Sequence, residues 1–241
     1  MPHEDASGRA ETGPAPALTA LRSEIDRIDD ALLDLMEQRF SLSREIAAQK
    51  EDAPGLHLRP RRETEILERL SSRSANLPGD AINAIWRELM GLSLQAQKRT
   101  AIVLHAAAQP VLVTNLVRLR FGCAAPIIIS GSPTDTLDRA RRTDAVAIVE
   151  LNPLSNWWVE LHDDPALTIF DGLREPGGRI SALAIGRLAP DGLPRGIDYP
   201  ILSEAILRRR VEAGETIHTL AISGALRLCL SETAQPDGGS K

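Results

Sequence analysis

The spacing of apolar residues divides the chain into two parts with different periods. In the first part, apolar residues follow alternating steps of three and four positions: Leu18, Leu21, Ile25, Ile28, Leu32, Leu35, Leu42 and Ile46. This pattern predicts one long helix from about Pro16 to Lys50, roughly 50 Å in length at 1.5 Å per residue. Two shorter helices of the same chain cannot cover its apolar face, so we expect an intertwined homodimer.

Two further helices are predicted before residue 100. The segment 52–58 contains Pro54 and Gly55 and ends the first helix. A second helix begins near Pro60, because proline suits a first turn, where its missing N–H costs no hydrogen bond. A third helix covers about Ala81–Lys98. Its predicted buried residues are Ile82, Ile85, Trp86, Leu89, Met90 and Leu92.

After Thr100 short apolar runs alternate with helical stretches, which predicts a small α/β domain. Five runs are expected to be buried strands: Ala101–Leu104, Pro126–Ile129, Ala145–Val149, Leu167–Phe170 and Ser181–Ile185. Four stretches are expected to be helices: Val111–Arg120, Asp135–Arg142, Leu154–His162 and Leu202–Glu212. The chain then forms a hairpin of Thr216–Ile222 and Ala225–Leu230.

The pattern therefore predicts two domains, a helical one over residues 16–99 and an α/β one over residues 100–232. Residues 1–15 and 233–241 are expected to be disordered tails, and the leader lacks the apolar core of a secretory signal. A net charge of -5 argues against a nucleic-acid partner. No apolar run is long enough to span a membrane.

Cofactor and metal signatures are absent from the sequence. No CxxC, HExxH, P-loop or GxGxxG pattern occurs, so neither a cofactor nor a metal is expected. Cys123 and Cys229 lie far apart in apolar surroundings. We expect both to be buried, reduced thiols of a cytoplasmic protein.

Arg39 occupies a position where the spacing from Leu35 predicts an apolar residue. Taken alone, Arg39 would be interpreted in one of two ways. Its aliphatic stem could lie along a loosely packed apolar face while its charge reaches water, or its guanidinium could pair with an acid. Lys50 follows almost three helical turns later, however, and projects from the same face. This lysine is informative because the chain has 25 arginines and 3 lysines, which suggests that the position needs a compact ammonium group.

Four further polar residues are expected near this face. Ser93 and Gln97 share one face of a largely apolar helix, and Arg62 and Glu63 open the second helix. Burying so many charged groups is unfavourable unless a ligand pairs with them, and an excess of cations favours a small dianion. No Ser–His or Cys–His nucleophile accompanies the cluster, so covalent catalysis is not expected.

Together these elements resemble the all-helical chorismate mutases. The resemblance rests on Leu18–Asp26, Glu37-Gln38-Arg39, Lys50, Arg62-Glu63 and the spacing Ser93-x-x-x-Gln97. It is greatest with the mutase domain at the N-terminus of bifunctional chorismate mutase–prephenate dehydratases. The resemblance implies a three-helix fold that rearranges chorismate to prephenate in phenylalanine and tyrosine biosynthesis, without an enzyme nucleophile.

The resemblance also implies roles for four catalytic residues. Arg39 would bind a carboxylate of chorismate. Lys50 and Gln97 would face the ether oxygen on which negative charge grows as the bond breaks. Glu63 would accept a hydrogen bond from the ring hydroxyl. Losing Lys50 is expected to slow the reaction by about two or more powers of ten.

Three substrate-binding residues complete the implied site. Arg22 is turned away from Arg39 on its own helix, so it would bind the second carboxylate from the partner subunit. Ser93 and Arg62 would complete the carboxylate and hydroxyl contacts. One departure concerns Arg59, which stands where the bifunctional relatives have an aspartate.

In the bifunctional enzymes a prephenate dehydratase domain follows, and residues from Arg99 onward faintly resemble it. Ala145–Asn152, followed by Trp157 and Trp158, is similar to a strand and acidic-Asn segment of the dehydratase. Gly178–Arg187 lies where a Thr-Arg-Phe motif is expected, and the motif is absent. The resemblance implies a truncated dehydratase-like domain without dehydratase activity, serving as a scaffold or as a sensor of an aromatic amino acid.

Two alternatives stay open. Isochorismate pyruvate lyases and aminodeoxychorismate mutases share the helical fold, and Arg59 leaves the choice of substrate open. The helical bundle is alternatively a non-catalytic, ligand-sensing regulatory dimer.

Overall fold

The computed structural model describes residues 16–49 and 55–232. Lys50 and the predicted tails, 1–15 and 233–241, lie outside the described residues. The chain divides into two compact units, the first ending at Leu42 and the second beginning at Ser43.

Helix α1 (Pro16–Gln49) confirms the long helix predicted from the apolar spacing. Its apolar row is exposed in the single chain, with every member at least 43 % exposed: Leu18, Leu21, Ile25, Ile28, Leu32 and Leu35. An α-helix of this length gains most of its stability from packing its apolar face. The first unit thus presents an apolar helix face that is open to a partner.

Helices α2 (Pro60–Arg73) and α3 (Gly79–Gln97) confirm the other two predicted helices. The prediction for the buried face of α3 was partly wrong. Ile82 and Met90 are buried, whereas Ile85 and Leu92 are about half exposed. Those two residues are seven positions apart and share a helix face, so α3 has an apolar face that is partly exposed.

The α/β region contains a five-stranded sheet with the order β2-β1-β3-β5-β4. Strands β1, β2 and β3 are parallel, and β5 and β4 continue the sheet antiparallel. The strand bounds are Ile102–His105 for β1, Ile127–Ile129 for β2, Val146–Glu150 for β3, Thr168–Arg174 for β4 and Ile180–Gly186 for β5. Each of the five predicted runs contains one of these strands, with shifted ends. The prediction that all five are buried was wrong for β2, where Ile128 and Ile129 are 40 % and 70 % exposed.

Two helices cover opposite faces of this sheet. Helix α4 (Pro110–Phe121) packs in a cluster with Val146 and Ile148, and helix α5 (Pro133–Arg142) packs in another cluster with Ala147 and Val149. Alternate residues of a strand point to opposite faces. The chain therefore leaves β1 toward one face of the sheet and leaves β2 toward the other.

A second, smaller sheet completes the α/β region. It has the order β6-β9-β7, with β8 also pairing with β9. The predicted hairpin is confirmed as β8 (Thr216–Ser223) and β9 (Leu226–Glu232). Strands β6 (Ile197–Asp198) and β7 (Ile201–Ser203) were not predicted.

Two of the predicted helices need correction. The helix predicted from Leu202 begins at Glu204 as α6 (Glu204–Glu212), because Ser203 ends β7 and its side chain caps α6. The stretch predicted as a helix over Leu154–His162 contains a 3-10 helix over Trp157–Leu161. This helix begins three residues later than predicted, because a turn precedes it. In that turn the Leu154 N–H donates to the side chain of Asn152.

The cysteine prediction is half right. Cys229 is buried in β9, as expected. Cys123 is exposed, because it follows α4 at a turn where its N–H donates to the Glu88 carboxylate at 2.9 Å.

Candidate functional site

Glu63 lies in the first turn of α2, where Pro60 begins the helix. Its Oε2 atom is 2.7 Å from Nη1 of Arg87 on α3 and 2.7 Å from Nη1 of Arg120 on α4. All three side chains are at most 19 % exposed. One carboxylate oxygen therefore holds two guanidinium groups from two different helices, in a geometry of charge-assisted hydrogen bonds.

Arg120 also pairs with a second acid. Its Nε atom donates to the carboxylate of Asp171 on β4, and its guanidinium lies 4.8 Å from the centre of the Phe121 ring. Asp171 is placed there by an irregularity in the pairing of β4 with β5. The four charged groups, Glu63, Arg87, Arg120 and Asp171, carry no net charge together and are called the Glu63 network below.

The pKa values in the Glu63 network follow this arrangement. Burial opposes the charge of Arg120, but the carboxylates of Glu63 and Asp171 outweigh it and raise the pKa of its guanidinium. Burial, with the neighbouring charge of Arg120, lowers the pKa of Arg87 despite its pairing with Glu63. The neighbouring carboxylates therefore offset part of the unfavourable burial of both arginines.

Gly91 of α3 brings Arg120 close to Glu63. A methyl group on Gly91 would collide with the backbone carbonyl of Phe121 at the end of α4. The absence of a side chain therefore lets α3 and α4 approach closely at this point. The neighbouring residue, Arg120, then reaches Glu63 across the contact.

A cavity of about 10 Å³ lies beside the Glu63 network. It has room for about one water molecule. Its lining residues are Leu58, Glu63, Arg87, Met90, Gly91, Leu94, Arg120 and Phe121. This cavity is therefore too small to hold an organic dianion.

Three other predicted site residues lie on the same two helices but do not line this cavity. Arg62 is exposed and its Nη1 lies 3.4 Å from Oε2 of Glu65. Ser93 is buried, and its hydroxyl donates to the Leu89 carbonyl at 2.8 Å. Gln97 is half-buried at the last position of α3. Their joint role with Glu63 stays a prediction.

The remaining predicted site residues lie on or after α1. Arg22 is exposed, and Arg39 is half-buried, which lowers the pKa of its guanidinium. Both belong to the first unit, and Lys50 lies outside the described residues. The sharing of one site by all seven residues stays a prediction.

Sequence reasoning missed Arg87, Arg120 and Asp171. Arg87 had a weak signal, because it shares a helix face with Gly91 and Leu94. Arg120 and Asp171 had none, since both lie far along the chain in the α/β region. Nothing in their local sequence separates them from ordinary surface charges.

Comparison with known proteins addresses the helical part of the chain. Residues 21–98 match the family model of chorismate mutase type II. The match begins in α1, includes α2 and ends directly after α3, so it contains all seven predicted site residues. A search of the curated proteins finds no significant match, and neither does a search of the solved structures.

The chain therefore has an N-terminal helical chorismate mutase domain and a C-terminal mixed α/β region. The resemblance of the α/β region to a prephenate dehydratase stays a prediction. Within residues 16–49 and 55–232, no helix is long and apolar enough to cross a membrane. In the same ranges, no group of three or more His, Cys, Asp or Glu residues is placed to hold a metal ion.

Proposed function

We propose that the protein is a chorismate mutase that converts chorismate to prephenate, a step toward phenylalanine and tyrosine. The observation that carries this proposal is the match of residues 21–98 to the chorismate mutase type II family. That range contains the predicted cations, the carboxylate and the amide. We further propose that the protein acts in the cytoplasm.

The reaction needs no nucleophile, so the work of the site is to bind and orient the dianion. We propose that Arg39 and Arg22 bind the two carboxylates of chorismate. Lys50 and Gln97 stabilise the negative charge that grows on the ether oxygen. Arg62 and Ser93 complete the polar contacts of the site.

Glu63 is proposed to accept a hydrogen bond from the ring hydroxyl. Its contacts with Arg87 and Arg120 engage Oε2, which leaves Oε1 for the substrate. Arg87 and Arg120 are therefore proposed as positioning residues.

The active form is proposed to be an intertwined homodimer. The exposed apolar row of α1, from Leu18 to Leu35, supports a second copy as its partner, because two such rows complement each other along antiparallel or parallel helices. Arg22 lies on the same helix, α1, and is turned away from Arg39. A site that uses both arginines needs Arg22 from the other subunit.

Chorismate decay, followed by its ultraviolet absorbance, tests the proposal on the full chain. The wild type is expected to remove chorismate far faster than buffer does. Lys50→Ala is expected to reduce kcat/KM by about two or more powers of ten. Arg44→Ala, at an exposed position of α1, is the control and should retain activity.

A further inference from the structure

A crevice lies at the carboxyl ends of β1 and β3, far along the chain from the mutase residues. The two strands are parallel neighbours. The chain leaves β1 toward α4 on one face of the sheet and leaves β3 toward Trp157 and Trp158, which pack on the other face. Such a divergence opens a crevice in which α/β sheets commonly bind ligands. Here its volume is about 260 Å³.

Glu150, the last residue of β3, provides the charge of this crevice. Its side chain lines the crevice although the residue is only 7 % exposed. Oε2 accepts a hydrogen bond from the Ala108 N–H at 2.8 Å. Among the described residues, no cation lies within 4.0 Å of the carboxylate, and Oε1 accepts no hydrogen bond.

This environment differs from that of the other enclosed carboxylates. Glu63, Asp144 and Asp171 each face at least one arginine. Burying a carboxylate without a counter-charge is unfavourable. A carboxylate without a cationic partner in a ligand-sized crevice therefore favours a cationic ligand.

His105, the last residue of β1, adds a second acceptor. Its Nδ1 lies 3.1 Å from the Ser130 carbonyl oxygen. Because a carbonyl only accepts, Nδ1 carries the hydrogen, and in the neutral ring Nε2 presents a lone pair. The crevice therefore offers a carboxylate and an imidazole nitrogen to one ligand.

The remaining walls of the crevice are largely apolar. Trp157 is buried, and its indole N–H donates to the Glu150 carbonyl at 3.0 Å, which fixes the ring against the end of β3. Pro133, Leu154 and Ala107 supply further apolar surface. Such walls favour a ligand with an apolar or aromatic body attached to its polar group.

We propose that this crevice binds a small primary amine. The ammonium group donates to Oε1 of Glu150 and to Nε2 of His105, and the apolar body lies against Trp157. An ammonium group has three donors and a positive charge, which complements two acceptors and one uncompensated carboxylate. An anionic ligand would be repelled by Glu150. The proposal is independent of the mutase activity.

Isothermal titration calorimetry of the full chain tests this site with three probes that share a phenylethyl body. These are 2-phenylethylamine, which carries only an ammonium group; phenylalanine, which adds a carboxylate; and 3-phenylpropionate, which carries only a carboxylate. We expect 2-phenylethylamine to bind saturably at one site per chain. Phenylalanine should bind at least about ten-fold more weakly, and 3-phenylpropionate should not bind.

Two variants test whether 2-phenylethylamine binds in the crevice. Glu150→Gln keeps an oxygen that accepts from Ala108 and should lose at least about ten-fold in affinity for 2-phenylethylamine. Ala107→Trp, at an exposed rim position, should fill the crevice without altering the core and abolish binding. Glu212→Gln, on the exposed face of α6, is the control and should bind as the wild type does.

The proposal is overturned if the wild type does not bind 2-phenylethylamine saturably. It is equally overturned if Glu150→Gln and Ala107→Trp both bind as tightly as the wild type, or if 3-phenylpropionate binds as tightly as the amine. Chorismate turnover is measured separately on the same preparations, so failure of this proposal is distinguished from failure of the mutase proposal.

Discussion

Oε2 of Glu63 lies 2.7 Å from Nη1 of Arg120, so a residue inside the chorismate mutase match is ion-paired with a residue beyond its end. The α/β region thus reaches into the surroundings of a proposed catalytic carboxylate. This ion pair joins α2 to α4. Arg120 also contacts Asp171, which joins α4 to β4.

Removing the Glu63 carboxylate is expected to destabilise the fold. Glu63→Ala leaves Arg87 and Arg120 without their shared acceptor, and should lower the free energy of unfolding in urea by about 3 kcal/mol. Glu65→Ala removes exposed ion pairs from the same helix and should change the free energy of unfolding far less than Glu63→Ala does. Equal losses for the two variants would contradict the description of the Glu63 network.

The close approach of α3 and α4 at Gly91 gives a second prediction. Gly91→Ala places a methyl group against the Phe121 carbonyl and should lower the free energy of unfolding by about 1–3 kcal/mol. Gly79→Ala, at the first residue of α3 with no atom near its added methyl group, should be neutral or stabilising. Thermal unfolding of both variants measures the difference. A neutral Gly91→Ala would show that the helices are not in contact there.

A third prediction concerns pH and Asp144, which joins three separate parts of the second unit. Its carboxylate accepts from the Gly55 N–H at 3.0 Å, and contacts Lys98 at 2.5 Å and Arg187 at 2.9 Å. Burial alone would raise the pKa of Asp144, but its hydrogen bonds with Lys98 and Arg187 outweigh burial and lower the pKa below its usual value.

A pKa that is lower in the folded state stabilises the protein above the unfolded value of about 3.9. That stabilisation is lost as the pH falls through the folded pKa. Asp144→Asn should therefore be less stable than the wild type at pH 7, and the difference should shrink in urea titrations below about pH 4. Asp163→Asn, at an exposed position, is the control. A difference that stays constant with pH would contradict the assignment.

The shared site of the proposed dimer can be tested by complementation. Arg22→Ala and Arg39→Ala should each be inactive with chorismate. If each site takes Arg22 from one subunit and Arg39 from the other, a mixed dimer of the two variants has one intact site. Coexpression in equal amounts should then restore about one quarter of the wild-type activity, because half of random dimers are mixed. No recovery in dimers shown to be mixed would contradict the sharing.

The regular elements were largely readable from the sequence. The three–four spacing of Leu18 to Leu35 predicted α1, and prolines at the first positions of α1 and α2 predicted their starts. The 3-10 helix at Trp157–Leu161 was predicted wrongly, because side-chain hydrogen bonds to Asn152 and Ser155 hold a turn where helical spacing alone predicts a helix.

The Glu63 network could not be read from the sequence. Arg120 and Asp171 reach Glu63 through the packing of α4 on α3 and an irregular pairing in β4, and neither leaves a local pattern. The sequence did place Glu63 at the start of α2, because helix periodicity and Pro60 determine that position. The crevice at Glu150 could not be predicted from the sequence either, since it depends on the order of the strands in the sheet.

The most direct test of the central claim is the product that the wild-type protein forms from chorismate, followed by proton NMR. We expect prephenate to appear in a one-to-one ratio with the chorismate that disappears, at a rate far above that of the uncatalysed reaction, and Arg39→Ala to lose this acceleration. Persistence of chorismate at the uncatalysed rate, or its loss with release of pyruvate instead of prephenate, would contradict the account.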